Sequence, residues 1–157
     1  MPTPTRRAMY LARELDRYRM TSKPLKNEWT DGALRNVMMT RVHMETACAA
    51  LMGVLTSVYR SAQVNAAVGG AKGSRHLLGL ACDILPGTPW KTVEEASQRI
   101  WAMALEQKLG LVQQVIQEPT WVHVGWYSPT EPDKGMTLMR KMAQGYKQLA
   151  SWQEQGG

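Results

Sequence analysis

Apolar and polar positions follow two different rhythms along this chain, and the switches between them mark out the elements. Met9, Leu11, Ala12, Leu15 and Tyr18 recur at helical spacing with a basic face between them, which predicts a helix over residues 5–20. Residues 23–29, with Pro24, read as a connector. Thr30 or Asp31 is placed to cap a second helix, in which Leu34, Val37, Met38, Val42, Ala49 and Met52 keep the helical period until Gly53 stops it. After Gly53 the period drops to two. Val54, Thr56 and Val58 alternate with Leu55, Ser57 and Tyr59, which predicts a strand ending near Arg60.

Residues 62–74, with Gly69, Gly70 and Gly73, read as a loop, and residues 80–85 as a second strand closed by Pro86 and Gly87. Thr92 with Glu95 makes a capping box opening a helix through Ile100, Met103 and Ala104 to about Gly110. Residues 111–118 and 121–126 read as strands joined by a tight turn at Pro119 and Thr120. Over 136–153 a stripe of Met139, Met142, Tyr146 and Leu149 predicts a C-terminal helix packed on the sheet. The order is that of an α+β protein with a small, mostly antiparallel sheet. With no repeat or long linker, residues 1–157 are expected to form one domain.

Composition narrows the function classes. At 44% hydrophobic and 20% charged the chain has globular proportions. Cys48 and Cys82 have no metal-binding spacing and are expected to be free thiols made in a reducing compartment. The N-terminus lacks the apolar core of a signal peptide, and no stretch reaches membrane-spanning length, so synthesis in the cytoplasm is expected. The net charge of +6 points to an anionic partner, such as nucleic acid, a membrane surface or a bacterial envelope. The basic residues are scattered and accompany no helix-turn-helix, RNP-like or zinc-knuckle pattern, so nucleic acid is not the expected partner.

The chemistry concentrates in residues 74–84. His76 lies in a loop, and Asp83 follows inside an apolar strand, where a carboxylate is costly unless a cation or strong donors offset it. Residue types alone leave a loop histidine and a turn aspartate as an equal alternative to a metal site. The chain has three histidines. His123 lies in a strand where alternation places it with Trp121 and Gly125 on one face. Two imidazoles and a carboxylate, leaving one open position, are a catalytic zinc pattern. His43, mid-helix, has no suitably spaced partner and reads as an ordinary surface or core histidine.

The run Ser74-x-His76-x-x-Gly79-x-Ala81-x-Asp83 resembles the SxHxxGxAxD signature of the M15 peptidases. Those are D-alanyl-D-alanine carboxypeptidases and peptidoglycan endopeptidases that share the Hedgehog-domain fold. Residues 59–70 are similar to the family's YRSxxxNxxVGG loop, and Trp121-Val122-His123-Val124 to its WVHV strand. The resemblance spans about residues 53–127. It implies that His76, Asp83 and His123 bind Zn2+, that Arg60 acts on the substrate, and that Ser74, Asn65 and Trp121 border the substrate. It further implies action on bacterial peptidoglycan, as in a phage lysin or a cell-wall remodelling enzyme, by a monomer that reaches the wall after release.

The acid/base is the departure. Relatives often carry an acid three residues before the last histidine ligand, where this chain has Thr120. Glu118 is the nearest carboxylate and the candidate base, and alternation puts it on a face with Ile116 and Gln114. A solvated hairpin carboxylate is the equal alternative for Glu118. The rival function is a non-catalytic, zinc-containing module that binds the wall or serves in a virion.

Overall fold

The computed structural model describes residues 27–153 together with Tyr18 and Leu25, so the helix expected over 5–20 lies outside the described residues. Helix α1 (Asp31–Ala50) begins where the Thr30 hydroxyl accepts the Ala33 N–H at 3.2 Å, as the capping pattern foretold. Strand β1 (Val54–Ser57) follows. The stretch 62–74 read as a loop contains the short helix α2 (Ala62–Ala67), and a 3-10 turn (Arg75–Leu78) follows it. Serines start both: Ser61 Oγ accepts from Val64 N–H at 3.4 Å and Ser74 Oγ from His76 N–H at 3.3 Å. Gly69, Gly70 and Gly73, close behind α2, gave the stretch the look of a loop.

Strand β2 (Ala81–Leu85) leads to helix α3 (Val93–Leu105), where Thr92 Oγ1 accepts the Glu95 N–H at 3.1 Å. Then come β3 (Val112–Gln117), β4 (Val122–Trp126), β5 (Met136–Lys141) and β6 (Tyr146–Trp152). The six strands lie in the order β1-β2-β4-β3-β5-β6, all neighbours antiparallel except β3 and β5. This is the expected α+β architecture with a mostly antiparallel sheet.

The C-terminal helix expected over 136–153 is corrected to the hairpin β5–β6. The same residues satisfy both periods: Met136 and Leu138 are buried at strand spacing, while the Met/Tyr/Leu stripe fits a helix. Pairing decides between them. β3 has an open edge beyond β4, and β5 fills it with Ile116 opposite Met139 and Gln117 opposite Arg140. Gly145, at φ +70°, makes the turn that a helix could not contain, and the Met142 N–H bonds the Gly145 carbonyl across it at 3.1 Å.

The sheet's two faces have different fates. Cys82, Ile84, Val115, Val122, Val124 and Leu138 pack inward against Val37, Met44 and Ala47 of α1 and Ile100 of α3. Both helices lie on that side, and the other face carries the polar residues described next. Among the described residues, no helix is long and apolar enough to cross a membrane.

Candidate metal centre

Laterally paired residues of a sheet point to the same side, so the register reads out which side chains meet. On the face away from the helices, Asp83 pairs with His123, His123 with Ile116, Ile116 with Met139, and Met139 with Gln148. The next row begins with Trp121 and Glu118, joined by the Glu118 N–H to the Trp121 carbonyl at 3.1 Å. Lys141 and Tyr146 complete it. His76 comes from the 3-10 turn, so a loop residue and two strand residues converge.

Among the described residues, His76, Asp83 and His123 form the group whose ligand atoms converge, all within 4.8 Å of one another, and all three are buried. Asp83 Oδ1 is the shared centre, 3.1 Å from His76 Nε2 and 2.9 Å from His123 Nδ1. His76 Nδ1 contacts the Val58 carbonyl. A carbonyl can only accept, so Nδ1 carries the proton and Nε2 presents its lone pair. Burial lowers the His76 pKa against the pull of Asp83, which favours that neutral form. A lone pair and a carboxylate oxygen then face each other, two acceptors in need of a positive charge. A divalent cation fits this donor set of two nitrogens and one oxygen, which leaves one position open.

Gln114 orients the other imidazole. Its amide nitrogen lies 3.3 Å from His123 Nε2, and an amide has a donor at one end and an acceptor at the other, so it serves either tautomer. Gly125 makes the room: a Cβ there would stand 3.1 Å from Gln114 Cγ. Alternation had placed Gln114 beside Glu118, and only the cross-strand register brings it to His123.

Arg60 is committed within the protein. Nη2 bonds Asp83 Oδ2 at 3.0 Å, Nε bonds Ser57 Oγ at 3.0 Å, and Nη1 reaches Asn65 Oδ1 at 3.4 Å. Burial works to raise the Asp83 carboxyl. The hydrogen bond from His123 is the largest of the influences that overcome it and hold the group well below the usual range. Asn65 is buried, with its Nδ2 donating to the Ala71 carbonyl at 2.9 Å, so both ends of its amide face inward and it braces Arg60. Ser74 caps the turn that carries His76. Asn27 was not foreseen: its amide spans the Tyr59 carbonyl (2.8 Å) and the Ser61 N–H (2.6 Å), latching the backbone around Arg60.

Glu118 is half-buried in the row beside His123, and burial raises its carboxyl while His123 opposes that rise. Its charge environment therefore includes Asp83, Lys141 and Arg60 as well. Thr120 is exposed at the hairpin turn, and Trp121 is partly exposed beside Glu118. His43 stands apart, its ring against Gly110, and Cys48 and Cys82 are free thiols as expected.

The family model described as Peptidase M15 matches residues 24–125 of the 157. No curated protein matches the chain. The matched span holds every residue of the convergent group and ends before β5.

Proposed function

The chain belongs to the peptidase M15 family, and from that premise we propose that it is a zinc metallopeptidase hydrolysing an amide in the peptide stems of bacterial peptidoglycan. The observation that carries this reading is Asp83 Oδ1 shared between two imidazole nitrogens at 3.1 and 2.9 Å, with Glu118 in the adjoining row of the same face. His76 Nε2, Asp83 Oδ1 and His123 Nδ1 would hold the ion. When bound, zinc supplies Lewis acidity toward a carbonyl and toward water.

The remaining work falls to the protein's own groups. Val58 and Gln114 fix the two imidazoles, and Arg60 fixes Asp83 by its second oxygen. Glu118 takes the proton from the attacking water and returns it to the leaving amine, a role suited to a carboxyl raised by burial. Trp121 borders the scissile amide. Arg60 acts here as a positioning residue for Asp83, since its guanidinium bonds that ligand at 3.0 Å as well as Ser57 and Asn65.

Digestion of purified sacculi with zinc-loaded protein, with and without chelator, tests the reading. Mass spectrometry of the released muropeptides also shows which bond is cut. Chelator-sensitive release of stem fragments is expected. Zinc-loaded protein that binds sacculi but frees no fragment would leave the non-catalytic wall-binding module in its place.

A further inference from the structure

The hairpin β5–β6 lies beyond the matched residues, yet it extends the face that carries the metal ligands. Gln117 pairs with Arg140 in the parallel register, so one residue further Glu118 runs beside Lys141. Lys141 pairs in turn with Tyr146 across the hairpin. The row next to the ligands is therefore Trp121, Glu118, Lys141 and Tyr146.

The cations of this face are not equally available. Arg60 is bonded to Asp83, Ser57 and Asn65, and Arg75 is bidentate to Glu131 at 2.6 and 2.8 Å. Lys141 differs. Its ammonium stands 4.5 Å from the centroid of the Tyr146 ring, and among the described residues it makes no hydrogen bond or ion pair. A ring face engages the charge without consuming N–H donors, so all three remain for a ligand. Tyr146 is 48% exposed, an aromatic plate at the rim, and burial first, then the charges of Glu118 and Asp83, raise its hydroxyl's pKa.

We propose that Lys141 and Tyr146 form a carboxylate subsite beside the metal centre, selecting an acidic peptide whose free carboxylate lies next to the amide to be cut. The proposal rests on the peptidase reading for its substrate. The physical need is direct: an acidic peptide entering this face meets the carboxylates of Glu118 and Asp83, and Lys141 is the cation there with donors to spare. Tyr146 packs against the peptide and holds the ammonium in place.

Binding is measured by calorimetry on zinc-loaded Glu118→Gln protein, so that no peptide is consumed. The probes are synthetic stem tetrapeptides in which each carboxylate is amidated in turn. One amidation is expected to weaken binding about tenfold, the scale of one charge-assisted hydrogen bond. Adding Lys141→Met should erase that difference, Lys141→Arg should restore it, and Tyr146→Leu should reduce it more than Tyr146→Phe. Thermal melts check that each variant is folded. A discrimination between amidated and free peptides that survives Lys141→Met overturns the subsite, and so does equal binding, or no binding, of all probes. Sacculus digestion by the unsubstituted protein is scored separately: carboxylate preference without stem release sinks the peptidase reading and leaves the subsite standing.

Discussion

The ligand-bearing strands and the C-terminal hairpin share one sheet face but are built on different terms. Around β1, β2 and β4 the side chains of the site are buried or half-buried and partnered: Asp83 is held by two imidazoles and Arg60, and Arg60 by Ser57 and Asn65. In the hairpin, Arg140 Nε bonds Gln117 Oε1 at 3.1 Å on the inner side, while at the outer rim the Lys141 ammonium lies over the Tyr146 ring. A buried network fails as a unit when one member is removed, because the partner left behind stays desolvated. Exposed residues on an added strand change without that penalty. On the reading proposed above, reaction chemistry and substrate preference occupy regions with different tolerance to substitution.

The largest test of that contrast removes a ligand. Asp83→Ala should leave the purified protein without bound zinc by elemental analysis. Turnover should fall on the order of 10³-fold, since Lewis acidity contributes several kcal/mol. Glu118→Gln should cost at least about 10²-fold in kcat/KM with metal content unchanged. A base must be ionised to act, and burial raises this carboxyl, so activity should fall on the acid side at a higher pH than an ordinary glutamate would dictate. Lys141 draws the same carboxyl down, so Lys141→Met should move that acid limb further up in pH. Such a shift would show the two regions electrostatically joined.

Gln114→Ala should weaken zinc binding about tenfold in chelator competition, the usual scale for a group orienting a metal-bound imidazole. A smaller effect is expected at the strut between the regions, where Arg75 holds the Glu131 carboxyl down to about 2. A depressed carboxyl stabilises the fold above its unfolded value of about 4.5 and loses that contribution as pH falls toward 2. Glu131→Gln should therefore cost about 1 kcal/mol at neutral pH, allowing for screening at a side chain 32% exposed, and nothing near pH 2. The hairpin turn gives a similarly modest loss. Gly145→Ala, forced into a left-handed conformation, should cost about 1 kcal/mol and lower Tm by about 2–4 °C without altering zinc content.

What was legible in the sequence divides along the same line. Thr30 and Thr92 announced α1 and α3 because a cap is a local event between residues three apart. His76 and Asp83 were legible through the extended motif they share with the M15 peptidases, since residue types alone left an equal alternative, and His123 through its strand and the scarcity of histidines. The hairpin was not, since its side chains fit a helix or a strand, and the choice was made by β3, which is separated from it in sequence by β4 and the 127–135 crossover but lies beside it in the sheet. The sequence allows Arg60 an ion pair at a strand end beside a role toward the substrate, and it does not disclose the contacts of Arg60 with Asn65 and with Asp83. Their inward roles depend on how the 61–71 segment folds back, which no spacing reveals. Gln114 needed the register of β3 against β4.

The parallel seam between β3 and β5 also bears on how the protein comes into being. During synthesis β1 to β4, and with them all three ligands, are complete before β5 leaves the ribosome. Until it arrives, the outer edge of Gln114–Gln117 presents unpaired backbone donors and acceptors to any extended chain nearby. A parallel partner cannot arrive by a tight turn. It must come by way of the 127–135 crossover, with the loop-closure entropy that entails. The nascent chain therefore carries an open strand edge from the emergence of β3 until β5 arrives, and the hairpin that closes it also brings Lys141 and Tyr146 beside Glu118.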